Sequence, residues 1–259
     1  MKPGIRYFTA AAVFALCAAG AAGAQKAPRG QAPPADTVEL SADPAFRLTF
    51  TSDRVQVYRL DLGPQAATQL DRHDRDYLVV SLTSSRLQAT DGTHTNNLAL
   101  EPEALQVMKG GWPHRIANQG DTAAAAVIII PAAKLDPEHA MCGLAARQCR
   151  GGEIGDELGK YTESILFDTP TAKLTQAEIA PGAQIPPTDY VNPVLIIATT
   201  EIHFTDRRSL TDSQDEGKEL DLQLKPGDTA YIPGGTTEIM KNAGKDDARF
   251  VLLTLRPAE

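Results

Sequence analysis

The sequence predicts an all-β chain made of two tandem copies of one antiparallel β-domain. Two observations predict it. From Val38 to about Ile130, short runs of β-forming residues alternate with turn signals at Gly63-Pro64, Asp91-Gly92 and Gly110-Gly111, a pattern that implies a sandwich or barrel. One constant offset then sets Leu60-Asp61-Leu62-Gly63-Pro64-Gln65 against Ala177-Glu178-Ile179-Ala180-Pro181-Gly182, and without a gap Tyr77-Leu78-Val79-Val80 against Val194-Leu195-Ile196-Ile197. At 259 residues, each copy is long enough to bury its own core.

Taken in order, residues 1–24 have the layout of a secretory signal peptide. Lys2 and Arg6 precede an alanine-rich apolar stretch, and Ala22-Gly23-Ala24 supplies small residues for cleavage. The expected location is periplasmic or secreted. Removing two cations from a chain of formal net charge −8 makes the product still more acidic, which argues against nucleic acid or an anionic membrane surface as partner. No second apolar stretch is long enough to span a bilayer, so no membrane association is expected after signal removal. Residues 25–37, with three prolines, read as a flexible lead.

The first β-domain is placed at 38–134. Its expected strands are 46–50, 55–60, 77–82, 86–89, 98–100, 105–108 and 125–130. Residues 135–164 read as a linker, with a short helix over 137–146 ended by Gly151-Gly152. Export leaves Cys142 and Cys149 as the remaining cysteines; a local disulfide staple is the simpler reading, since their spacing is not that of a redox Cys-x-x-Cys pair. The second domain is placed at 165–259, with a strand over 199–204 and a polar loop over 207–219.

The chemistry-bearing stretch is Asp71-Arg72-His73-Asp74-Arg75-Asp76-Tyr77. Read as one strand, it sends Asp71, His73 and Tyr77 to one face and Leu78 and Val80 to the other. Asp76 then falls on the far face, with a structural role. Trp112-Pro113-His114 supplies the other histidine with a partner role, while His94 and His139 are expected to face solvent.

In the second half, Gly227-Asp228-Thr229-Ala230-Tyr231-Ile232-Pro233-Gly234-Gly235-Thr236-Thr237-Glu238-Ile239-Met240-Lys241-Asn242 resembles the second motif of the cupin superfamily. Every anchor matches except the histidine, which is Glu238. The same frame in the first half falls on Glu103, Lys109, Gly111, His114 and Asn118. The first cupin motif, His-x-His followed by a glutamate, falls on Asp71, His73 and Tyr77 or Leu78. In the second half it falls on Thr188, Tyr190 and Val194 or Leu195, behind Gly182.

This resemblance implies two jelly-roll barrels, joined by a partly helical linker. It also implies a metal position in the first barrel at Asp71, His73 and His114. Two histidines and a carboxylate can bind a divalent transition metal, Fe, Mn or Zn, and leave positions open. Tyr77, Trp112 and Asn118 in the first barrel, and Thr188, Tyr190 and Glu238 in the second, are the expected pocket residues; the second barrel is expected to be metal-free. Two classes of function follow. One is a non-catalytic bicupin that binds a small polar molecule or serves a structural role, with both metal sites degenerate. The other is a metal-dependent dioxygenase, isomerase or decarboxylase acting on a small polar substrate. Departures from the motifs favour the first class, and a homo-oligomer is compatible with either.

Overall fold

Tyr77-Leu78-Val79-Val80 and Val194-Leu195-Ile196-Ile197 are buried at every position, which a strand achieves only when both of its faces are covered. That requirement sets the architecture: each run must have a barrel interior on one side and a second packed layer on the other. The computed structural model describes residues 37–143, 149, 154–155, 160–211 and 217–257. The segment read as a signal peptide lies outside the described residues.

The first half contributes β1 (Phe46–Thr51), β2 (Val55–Leu62), β3 (Asp71–Arg72), β4 (Tyr77–Ser81), β5 (Ser85–Thr90), β6 (Thr95–Leu100), β7 (Leu105–Met108), β8 (Pro113–Asn118) and β9 (Ala124–Pro131). The second half contributes β10 (Ile154–Gly155), β11 (Tyr161–Asp168), β12 (Ala172–Ile179), β13 (Thr188–Tyr190), β14 (Val194–Ala198), β15 (Ile202–Leu210), β16 (Lys218–Leu224), β17 (Thr229–Ile232), β18 (Thr236–Asn242) and β19 (Ala248–Leu255). They form four sheets, ordered β1-β2-β9-β4-β7 and β3-β8-β5-β6 in the first half, and β10-β11-β12-β19-β14-β17 and β13-β18-β15-β16 in the second. The paired strands are antiparallel, and the result is two jelly-roll barrels.

Alternation along the long strands divides their side chains among three cores. Tyr77, Val79, Ala126 and Ile128 fill the first barrel, and Val194, Ile196, Phe250 and Leu252 fill the second. Leu78, Val80, Val127 and Ile129 point outward and meet Leu195, Ile197, Val251 and Leu253 in a third apolar layer between the barrels. Each fully buried side chain of this size contributes roughly 1.5–3 kcal/mol, so the layer between the barrels is as important to stability as either interior. Its flanks are polar: Arg59 on β2 donates to the Pro226 carbonyl, and Gln176, its repeat counterpart on β12, donates to Glu103 at 2.7 Å.

The repeat extends to details. β1 and β11 carry the same register irregularity, between Leu48 and Phe50 and between Ile165 and Phe167. Asn118 and Asn242 end their strands with equivalent hydrogen bonds, each accepting from the backbone N–H two residues on, Gly120 or Gly244, at 2.9 Å.

Three expectations are corrected. Of the helix expected over 137–146, the described residues 137–143 show one 3₁₀ turn, Pro137–His139, after which the chain pairs with β11 through Met141 N–H to Asp168 O and Asp168 N–H to Cys142 O; residues 144–146 lie outside the described residues. Tertiary pairing here overrides local helix propensity. The expected disulfide between Cys142 and Cys149, by contrast, is present. β11 begins at Tyr161, within the stretch read as linker. β15 runs to Leu210 rather than ending at Phe204, because its hydrogen bonding to β16 and β18 continues through Arg208. Among the described residues no helix is long and apolar enough to cross a membrane.

Candidate metal centre

Asp71 through Tyr77 is not one strand. β3 belongs to the sheet of β8, whereas β4 belongs to the sheet of β2 and β9, so residues 73–76 cross from one sheet to the other. Gly110 and Gly111 hold the crossing in place. A Cβ on Gly110 would fall 2.1 Å from the Arg75 carbonyl oxygen, so only glycine fits. Gly111 N–H donates to the His73 carbonyl at 2.5 Å, while Asp76 accepts from Gly110 N–H at 3.1 Å and pairs with Lys109 at 2.8 Å. Asp76 therefore ties a turn, and His73 is delivered to the barrel interior from a fixed backbone.

Cross-strand register supplies the other two groups. Asp71 on β3 lies directly opposite His114 on β8. With His73 they place one ligand atom each within 4.8 Å of one another, and all three residues are buried. The Asp71 and His73 side chains are 0% and 1% exposed, and Nε2 of His73 lies 3.0 Å from Oδ1 of Asp71. The contact is close, yet neither Asp71 oxygen nor His73 Nε2 has a hydrogen bond of acceptable alignment. A lone pair aimed past its neighbour gains little from proximity.

The tautomer of His114 follows from its partners. Its Nδ1 lies 3.1 Å from the Trp112 carbonyl oxygen, which only accepts, so Nδ1 carries the proton. Nε2 is then bare and accepts from the Tyr77 hydroxyl at 2.8 Å. Burial holds the His114 imidazolium below the usual histidine range, against the opposing pull of Asp71, so the ring is the neutral form that a metal requires. Burial, then the charge of Asp71, pushes the Tyr77 phenol above its ordinary value. Ring stacking fixes the orientations: His73 on Tyr77 at 4.2 Å and Trp112 on His114 at 4.5 Å.

A cleft of about 530 Å³ opens beside His73, with Tyr58, Gln56, Arg72 and Arg75 among its walls. A larger groove of about 790 Å³, walled by Glu103, Leu166 and Gln176, includes none of the three clustered residues. The smaller cleft borders the site at His73 alone; Asp71 and His114 do not line it.

The remaining sequence-nominated residues divide. Tyr77 and Trp112 belong to the cluster through the contacts above. Asn118 does not face a pocket: its amide donates to the Gly63 and Thr122 carbonyls at 3.0 and 2.7 Å, which makes it a backbone tie. Thr188 lies opposite Glu238 in the register of β13 and β18, and its hydroxyl is used on the Pro186 carbonyl at 2.9 Å. Glu238 is buried, paired with Arg208, and near Asp206; Tyr190 is within electrostatic reach of both acids. Asp206 and Arg208 were missed because the polar run after Phe204 reads as loop. The signal was present: Ile202, Phe204 and Asp206 alternate on one buried face of β15.

No sequence-family description and no curated protein matches the chain. Solved structures do. Oxalate decarboxylase from Lactobacillus farciminis, in its formate complex, superposes with a TM-score of 0.56 at 12% identity over 80% of this chain and 78% of that one. Vicilin from Capsicum annuum gives 0.58 at 10% identity, over 80% and 77%. Salicylate 1,2-dioxygenase from Pseudoaminobacter salicylatoxidans gives 0.53 at 10% identity, over 78% and 68%. The chain has the bicupin fold. Two of these neighbours are named as enzymes and one as vicilin, so the fold carries more than one kind of role and the site must decide between them.

The donor set in the first barrel fits a metal. Asp71 supplies a buried carboxylate without a hydrogen-bond donor, His73 an imidazole nitrogen in the same condition, and His114 a neutral imidazole. A nitrogen and carboxylate set of this kind suits Fe, Mn or Zn better than Ca or Mg.

Proposed function

We propose that this chain is an exported bicupin whose first barrel holds a divalent transition metal on Asp71, His73 and His114 and binds a small polar molecule there. The observation that carries the reading is the approach of Asp71 Oδ1 to His73 Nε2 at 3.0 Å, sealed from water and without an aligned hydrogen bond. Burying a carboxylate without compensation costs several kcal/mol, and a shared cation removes that cost. When bound, such an ion would supply a positive centre for the polar atoms of a ligand. The chain's own residues do the rest. Trp112 and the Tyr77 ring hold the imidazoles by stacking, the Trp112 carbonyl sets the tautomer of His114, and Gly110 fixes the crossing that carries His73. Export is supported by the signal-like first segment and by the Cys142–Cys149 disulfide.

A second reading is turnover of the bound molecule. It is favoured by the number of protein ligands: three leave coordination positions for substrate and oxygen. Either reading needs those positions open, and azide probes them. Protein loaded with Co(II) should change its visible absorption on addition of azide, and His114→Ala should not show this response. An unchanged spectrum in the loaded wild type would count against a ligand-accepting centre.

A further inference from the structure

Strand β7 offers a surface that the metal reading of the first barrel does not use. Among the described residues it pairs on one side alone, with β4. Ser81 on β4 donates to the Ala104 carbonyl at 2.9 Å and accepts from Glu103 N–H at 2.7 Å, so its backbone groups point toward β7. Bonded positions alternate along an antiparallel ladder, so Val79 and Tyr77 point the same way and engage Gln106 and Met108. Leu105 and Val107 are left with their N–H and C=O directed out of the sheet edge. Of these groups the Val107 carbonyl is covered, by the Gln106 side-chain amide at 3.1 Å.

The groove of about 790 Å³ runs along this edge, with every residue from Pro102 to Val107 on its wall. It has a topological cause. The β7 sheet has five strands, and the sheet it faces has six, with β10 outermost beyond β11. At the opposite rim, Phe50 on β1 stacks on Tyr231 on β17 at 5.4 Å and closes the apolar layer between the barrels. Val107 holds the Tyr231 position in the repeat frame without the ring, and the layer stays open there. Leu105, Val107 and Leu166 are the half-buried margin of that layer, and Leu135 adjoins them in the groove. One more strand beside β7 would level the two sheets and continue the layer.

The chemistry of the occupant follows. Bonding to Leu105 and Val107 requires an extended backbone with free N–H groups, as in strand addition at a sheet edge. Residues directly opposite share a face, so those that bond to Leu105 and Val107 turn their side chains toward Leu135 and Leu166, where apolar groups are favoured. Asp76 and Glu103 flank the strand against one cation, Lys109, in a chain of formal charge −8, which favours basic ends.

We infer that the β7 edge is a docking site for an extended, basic-ended peptide strand of another protein, with apolar residues at alternate positions. The probe is acetyl-Lys-Val-Ser-Val-Ser-Val-Lys-amide, added to the full isotope-labelled chain. At about 1 mM peptide, the amide resonances of Leu105 and Val107 should shift, and their hydrogen exchange should slow by at least about tenfold. The same peptide with N-methylvaline at each valine keeps the charge and apolar content but cannot donate, and it should leave both amides unchanged. Val107→Pro removes an outward N–H without touching the β4 ladder and should abolish the response of Leu105. No response to the probe, an equal response to the methylated peptide, or an undiminished response in Val107→Pro would overturn the inference. So would slow exchange of both amides in the free chain, which would mean that the protein's own chain covers the edge. If Val107→Pro does not fold, the comparison of the two peptides on wild type decides alone.

Discussion

The hydroxyl of Tyr77 lies 2.8 Å from Nε2 of His114, the same imidazole atom that would face a metal. Tyr77 stands where the cupin motif has a glutamate ligand, and it occupies a lone pair instead of adding one. The first barrel is therefore self-satisfied at His114 and unsatisfied at Asp71 and His73. That asymmetry makes the metal centre sensitive to one phenolic oxygen.

Tyr77→Phe should keep the fold, because the ring and its 4.2 Å stack on His73 remain. It should also remove the competitor for His114. A neutral hydrogen bond of this kind has a net value of about 1 kcal/mol, so Zn(II) should bind roughly fivefold more tightly to the variant. Calorimetric titration of apo-protein measures this. Weaker binding by Tyr77→Phe would mean that the hydroxyl assists the ion.

Asn118→Ala and Asn242→Ala should each destabilise the chain by about 1–3 kcal/mol, since each strands buried backbone groups that the amide now satisfies. Urea denaturation reads the loss. The two costs should be similar, because the repeat places both residues in equivalent networks; a neutral effect of either would show that water replaces the amide.

Much of this was legible in the sequence, and the reason is positional. The repeat and motif spacings located Asp71, His73, His114 and Glu238, because cross-strand register follows from the alignment of the two halves: Asp71 opposite His114, Thr188 opposite Glu238. Two things were not legible. Residues 73–76 read as strand, although they cross between sheets, since the constraint lies in the distant Gly110 backbone. Arg208 reads as loop and Asp206 falls just beyond the expected strand, because charged residues on a strand look solvated until the inward face of β15 is known. Local pattern reports which face a side chain takes, and tertiary pairing decides where a strand ends.

The second barrel should show a pH signature. The Glu238 carboxyl is raised from the ordinary 4.5 to about 8, so between these values the folded chain holds a proton that the unfolded chain has released. Stability from this group is fully present below about 4.5 and is lost as pH rises through about 8. Glu238→Gln cannot release that proton and should lack this slope. Comparing urea midpoints at pH 5 and pH 8, wild type should lose ground to the variant at the higher pH; an unchanged difference would contradict the buried acid pair.

The central claim is that Asp71, His73 and His114 hold one transition-metal ion. Elemental analysis of untagged protein, reconstituted separately with Fe(II), Mn(II) and Zn(II) and freed of excess ion, tests it most directly. The account predicts close to one equivalent of at least one of these metals in wild type, and its loss in both His73→Ala and His114→Ala. Wild type that retains none of the three, or variants that retain as much as wild type, would contradict it.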